Sequence, residues 1–242
     1  MRCPHPKPIK FSDPFQDWDG CDDRLAAILA KPSDELMRDD YSVIFYQHLP
    51  AADYEEGCYF VPAYLDFLSE TSGLEERGYE GFFWYINYFA DRFTRDGLLA
   101  PIQERLWDCL AHLTATFQIV RLSDFELEHA GICPSYREIA HLTRTLPDIL
   151  DGITKWPVFD PVLTRFLAHF DRPLSDAHAH WFYEFAFHTR TWLWLKQEPL
   201  DRHQRVFDFF HSLDRFRTHH DKVMASPITE GFFEYNRRLS PS

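Results

Sequence analysis

The sequence predicts an all-α fold: a single compact domain of about eight or nine helices over residues 21–242, preceded by an irregular, proline-rich arm over 1–20. Three observations predict it. Apolar residues recur at the helical period from Asp22 onward. Breaks between these segments fall at Pro or Gly. No stretch carries the series of polar and apolar alternations that half-buried strands require. Aromatic residues make up 17% of the chain, with 23 Phe, 11 Tyr and 7 Trp. Each ring removes roughly 150–250 Å² from water when buried, so aromatic packing is expected to build the core, and disorder over the whole length is excluded.

In chain order, Pro4, Pro6, Pro8 and Pro14 remove backbone donors and block helix propagation, which makes the first twenty residues an arm. Helices are expected over 22–30, 33–48, 52–70, 76–95, 101–117, 135–152, 159–170, 174–197 and 201–224. In 101–117 the residues Ile102, Leu106, Cys109, Leu110, Leu113 and Phe117 form one apolar stripe, with Gln103, Glu104 and Asp108 opposite. The segment 118–134 is less regular, fenced by Gly131 and Pro134, and any seam between subdomains is expected there. Asp160-Pro161 reads as an N-cap followed by proline at the first helical position, and Ser175-Asp176 and Asp201 read as caps for the last two helices. In 201–224, Val206, Phe209, Phe210, Leu213 and Phe216 continue one stripe, expected to face a core.

The chain carries 38 acidic against 25 basic side chains, a formal charge of −13. That field repels phosphate backbones and anionic headgroups, so neither nucleic acid nor a membrane surface is an expected partner, whereas a basic protein is. The five cysteines, Cys3, Cys21, Cys58, Cys109 and Cys133, are odd in number and contain no C-x-x-C pair. They read as reduced thiols. With no apolar leader after Met1 and no uncharged run long enough to span a bilayer, the expected address is the cytoplasm.

The element Tyr59-Phe60-Val61-Pro62-Ala63-Tyr64-Leu65-Asp66-Phe67-Leu68, followed by Leu99-Ala100-Pro101 and an amphipathic segment, resembles uncharacterised bacterial proteins that share a Y-F-[LV]-P-A-[YF]-L element. The resemblance covers about residues 51–117. It implies bacterial origin and helical structure, and it transfers no activity. Physically, Pro62 marks a helix start or a kink among packed aromatics.

The richest candidate for chemistry is Asp176 to His188. His180, Glu184 and His188 stand at i, i+4 and i+8 on one helical face, a drift of about 40° per step. Imidazole and carboxylate are ligands for zinc or iron, and Asp176 or His178 would extend the set. Two E-x-x-H pairs, Glu126/His129 and Glu138/His141, supply the half-motif of carboxylate-bridged di-metal bundles but sit too close together for that use. His211 with Asp208 and Asp214, and the tract Thr218-His219-His220-Asp221, offer a base beside a carboxylate. No nucleophile elbow, zinc-protease motif, phosphate loop or dinucleotide turn accompanies them. Cys58 and Cys133 read as small buried hydrophobes rather than nucleophiles. Arg215, Arg217 and Lys222, with Arg237 and Arg238 beyond, read as a solvated helix face and a docking tail, or as a grip for phosphate or an acidic partner.

The leading expectation is therefore a cytoplasmic bacterial protein-binding module, in particular an immunity-type inhibitor of a cationic toxin, and the absence of catalytic signatures leans against an enzyme. Its contact residues are expected at Asp53, Glu55 and Glu56 and at Asp124, Glu126 and Glu128, and it needs no cofactor. The alternative is a helical zinc- or iron-dependent hydrolase or oxidase built on His180, Glu184 and His188.

Overall fold

Helical period governs the chain, and local chemistry decides where each helix stops. The computed structural model describes residues 4–11, 21–45, 53–70, 79–116, 119–120, 140–141, 145–192 and 201–226. Among these the fold is all-α. The helices are α1 (Cys21–Ala30), α2 (Arg38–Ile44), α3 (Tyr54–Glu70), α4 (Tyr79–Tyr88), α5 (Ala90–Arg95), α6 (Leu99–Thr114), α7 (Thr145–Lys155), α8 (Asp160–His169), α9 (Asp176–Trp192), α10 (Asp201–Phe210) and α11 (Leu213–Met224). Short 3₁₀ turns occupy Ser33–Glu35 and Pro157–Phe159. The one extended pairing described is two residues long, β1 (Ile119–Val120) antiparallel to β2 (Ala140–His141). No helix among the described residues is long and apolar enough to cross a membrane.

Eleven α-helices are described against the nine expected because two expected elements, 76–95 and 201–224, are each split in two, while a third, 33–48, is interrupted and keeps one α-helix. Over 33–48, Leu36 is extended and the Asp40 carboxylate accepts the Met37 N–H at 2.9 Å, so α2 begins afresh behind its own cap. Over 76–95, Phe89 leaves helical geometry at φ −99°, ψ 19°, and the chain re-enters a helix at Ala90. Over 201–224, Ser212 is extended (φ −63°, ψ 123°) and separates α10 from α11. The stripe expected over Val206–Phe216 ends with it. Val206 and Phe210 are fully buried, but Leu213 is 60% exposed and Phe216 37%, and the covered side of α11 carries His219 and Val223 instead. The expected 135–152 helix also begins later, at Thr145, and Ala140 and His141 lie in the strand pairing. The expected cap at Asp160 is displaced as well. Asp160 is already helical, and the extended residue is Trp156, with Pro157 at the first position of the 3₁₀ turn.

Pro62 lies inside α3 rather than at its start, where it lacks the N–H that would reach the Cys58 carbonyl. Pro101 lies in the first turn of α6, whose amides have no intrahelical acceptor to lose. Between α5 and α6, Gly97 takes φ 68°. The Leu98 N–H reaches the Phe93 carbonyl at 2.8 Å and the Gly97 N–H reaches Thr94 at 3.1 Å, a Schellman closure that needs a left-handed residue. Gly97→Ala is expected to cost about 1–2 kcal/mol from that backbone strain alone, read as a lower denaturation midpoint. Unchanged stability would mean the turn relaxes.

The chain divides into two compact units, Met1–Leu110 with Arg144–Leu163, and Ala111–Thr143 with Thr164–Ser242. The segment 118–134 falls within the second, and all of it except Ile119 and Val120 lies outside the described residues. The first unit has an aromatic core in which Tyr64 meets Phe82 at 4.5 Å, Tyr41 at 4.9 Å and Phe45 at 5.4 Å between ring centroids. Tyr85 lies beneath the start of α3, its hydroxyl 2.9 Å from the Asp53 and Tyr54 carbonyls. Gly57 makes room for it, since a Cβ there would stand 2.3 Å from the Tyr85 hydroxyl. Of the arm, residues 4–11 are described and form no regular element, with Phe11 buried against Phe60 at 5.9 Å.

In the second unit α9 packs against both α10 and α11. Phe166, Phe170, Phe182, Phe185 and Phe210 are buried together there, with ring centroids 5.2 to 5.3 Å apart in the Phe166–Phe185, Phe170–Phe185, Phe182–Phe210 and Phe185–Phe210 pairs. Ser175 caps α9 as expected, its hydroxyl accepting the His178 N–H at 3.1 Å.

Candidate functional site

In the first unit, the acidic residues expected to contact a partner open α3. The Asp53 carboxylate accepts the Glu56 N–H and the Glu56 carboxylate accepts the Asp53 N–H, both at 3.0 Å. This is a reciprocal capping box with aspartate in the cap position. Glu55 is exposed and ion-paired with Arg92 at 3.3 Å. Two of the three thus have a structural duty at the helix start, and Glu55 faces solvent. Asp124, Glu126 and Glu128, together with His129, Glu138 and Cys133, lie outside the described residues.

Asp23, Asp34, Glu35 and Asp91 are exposed. Nearby in sequence to Asp91, Trp84 and Tyr88 stack at 4.9 Å with their planes 12° apart, and Tyr88 is 64% exposed. Aromatic side chains of this kind, large and rigid, anchor protein interfaces. The aromatic content predicts rings in the core and does not single out this pair, although Trp84 and Tyr88 stand one turn apart on a helix whose buried positions are Phe82, Phe83, Tyr85 and Ile86.

The second unit holds eleven of the thirteen histidines. His180, Glu184 and His188 do share α9, but among the described residues no three His, Cys, Asp or Glu side chains gather into a group that could hold a metal ion. His180 instead faces Ser226, with Nε2 to Oγ at 3.3 Å. One turn earlier, Asp176 pairs with Lys222 at 3.1 Å and its charge favours the imidazolium of His180, while burial, the larger effect, pushes His180 below the usual range. A hydroxyl, an imidazole and a carboxylate are therefore neighbours. Ser226 is only 2% exposed, which closes its hydroxyl to a substrate, and the group acts as a clasp between α9 and the end of α11. Nothing in the sequence marks Ser226 beforehand. Glu184 is pushed up to about 7 by burial, opposed by the charge of His188, so it titrates near neutrality.

His178 and His219 are buried at 2% and 0% exposure. His178 stacks on Phe170 at 4.0 Å and meets His169 at 4.6 Å, while His219 stacks on Phe182 at 3.9 Å. The Leu174 N–H approaches His178 Nδ1 at 3.4 Å, and His219 Nδ1–H donates to the Arg215 carbonyl at 2.8 Å. Each Nε2 is buried with no hydrogen-bond partner. Burial pushes His178 down to about 3, helped by His169 and His219, and it lowers His169 and His219 as well. These rings are neutral aromatic packing, so His219 is not placed as the carboxylate-oriented base that the tract Thr218–Asp221 suggested.

His211 also departs from that role. It stacks on Phe207 at 4.0 Å, and its Nε2 lies 3.3 Å from the Thr189 hydroxyl. That hydroxyl donates to the Phe185 carbonyl at 2.8 Å, so His211 Nε2 is the donor between them. The Asp208 carboxylate is engaged by Gln204 at 2.7 Å. Cys58 is 2% exposed, in accord with a packing role. Cys109 is likewise buried, its thiol pushed up to about 12 by desolvation, which leaves no nucleophilic thiolate.

No protein family, curated protein or solved structure matches the chain.

Proposed function

We propose that the protein is a non-catalytic binding module whose acidic first unit receives a basic protein partner. One observation carries this reading: the charge is segregated. The first unit has 24 acidic against 12 basic residues, and the second has 14 against 13, so nearly all of the net −13 belongs to one unit. A field of one sign attracts a partner of the other and speeds its docking. Exposed Asp34, Glu35 and Asp91 supply charge, and the Trp84–Tyr88 stack supplies an apolar anchor in the same unit.

The test uses the immobilised full chain and a variant carrying Asp23→Ser, Asp34→Ser, Glu35→Ser and Asp91→Ser, which spares the capping box. The wild type is expected to retain a basic protein in stoichiometric amount at about 0.1 M salt and release it near 1 M, where the Debye length falls from about 10 Å to about 3 Å. The variant is expected to retain much less at either salt. Equal retention by the two proteins would sink the proposal. Where the partner is a cationic toxin, the chain acts as its immunity factor, and co-expression restores growth of cells making that toxin; growth left unrestored removes the toxin reading.

A further inference from the structure

We propose that the second unit carries a separate binding site for a small organic monocarboxylate, in the cleft formed by α8, α10 and α11. The cleft has a volume of about 420 Å³, within the range of small-ligand sites. Leu167, Ala168 and Phe209 give it apolar walls, and its charged groups are Arg205, Arg215 and Asp171. Leu167 is 4% exposed and belongs to the core, so this wall is rigid.

Both guanidinium groups are anchored in ways that leave donors over. Arg205 Nη2 donates to the Thr164 hydroxyl at 3.2 Å. Arg215 donates through Nε to Asp171 Oδ1 at 3.0 Å, and its guanidinium lies over the Phe209 ring at 4.2 Å. Ion pair and ring together fix the plane of Arg215, while its two Nη groups make no hydrogen bond among the described residues. A planar fork held in this way suits a carboxylate, which it can meet with two parallel N–H···O bonds.

Charge selects among anions. Two arginines against one aspartate leave the cleft at +1, in a chain of −13. One negative charge neutralises it, whereas a phosphate dianion would leave an excess beside Asp171. His219, which faces Asp171 and Arg215 from α11, is buried and neutral and does not alter this balance. The apolar walls favour a ligand with a hydrocarbon or aromatic body behind the carboxylate. The site shares no residue with the acidic unit and does not depend on the partner proposed above.

Calorimetric titration of the full chain with phenylacetate, phenylacetamide and inorganic phosphate tests this. Phenylacetate is expected to bind at one site per chain, and the uncharged amide to bind at least about tenfold more weakly, since hydrogen bonds to charged groups are worth about 1.5–3 kcal/mol. Arg205→Gln gives up only a surface bond to Thr164 and is expected to fold normally while weakening phenylacetate by about tenfold or more. Arg215→Lys keeps the charge beside Asp171 but loses the fork, and it should weaken binding similarly. Absence of saturable phenylacetate binding, equal affinity for the amide, or full affinity in Arg205→Gln would overturn the site. Tighter binding of phosphate than of phenylacetate would overturn the monoanion assignment.

Discussion

Replacing Trp181 by alanine is expected to destabilise the protein by about 3–5 kcal/mol, enough to unfold a marginal domain. The indole is 1% exposed, stacks near Phe185 at 5.7 Å and donates its Nε1–H to the Thr116 carbonyl at 2.7 Å. Alanine removes most of the buried ring surface and leaves a cavity in a wall of aromatics that cannot collapse into it. The Thr116 carbonyl belongs to an exposed residue and can turn to water. Packing, rather than the hydrogen bond, is therefore expected to dominate. Trp181→Phe separates the two: it keeps much of the ring while deleting the donor, and its cost should be nearer 1–2 kcal/mol. Chemical denaturation of both variants measures this. Equal losses would show that the hydrogen bond, and not the ring, holds the unit.

Acid is expected to destabilise the second unit, most steeply below pH 4.5. His178 ionises near 6.5 in an unfolded chain and near 3 in the folded one. Between those values the unfolded state binds a proton that the folded state refuses, so stability is intact above pH 6.5 and is lost as pH falls towards 3. The loss is about 1.4 kcal/mol for each pH unit, or about 3–5 kcal/mol over the whole window. His169, His180 and His219 are lowered too and act in the same direction.

Glu184 opposes them. Its carboxyl is raised to about 7 from 4.5, so its contribution is complete below pH 4.5 and disappears as pH rises to 7. Over that interval it offsets roughly one histidine. Below 4.5 the histidines act unopposed. Denaturation midpoints followed from pH 7 to pH 3.5 should fall most steeply below pH 4.5 in the wild type. His178→Phe should reduce the slope by about 1.4 kcal/mol per pH unit, because phenylalanine can stack on Phe170 without taking up a proton. A slope unchanged by that substitution would contradict the assignment.

Much of the fold is legible in the sequence, and the failures share a cause. Most of the α6 stripe is read correctly because Ile102, Leu106, Cys109 and Leu110 keep one period without interruption and are buried, while Leu113 is half-buried and Phe117 lies outside the described residues. The Ser175 cap is legible because a serine at the head of an apolar run has one dominant use. The continuous helix over 201–224 fails at Ser212. Apolar residues on both sides mimic one stripe, and a single residue that prefers a cap position turns the chain. Candidate sites are less legible still. Asp53 and Glu56 look like a surface acidic patch in one dimension, yet their spacing of three is the signature of a capping box. Arg215 stood out as a basic residue, but Arg205, ten positions earlier on another helix, became its neighbour only through the packing of α10 and α11. His219 looked available as a base, and a helix face buries it.

The segregation of acidic charge into the first unit is the central claim, and association kinetics test it most directly. With the purified basic partner, the association rate constant is measured by stopped flow as ionic strength rises from about 0.01 M to about 0.15 M, where screening shortens the Debye length from about 30 Å to about 8 Å. The account predicts a fall of at least about tenfold, with dissociation little changed, and a loss of that salt dependence in the variant lacking Asp23, Asp34, Glu35 and Asp91. An association rate indifferent to salt, or one equally salt-dependent in the variant, would contradict it.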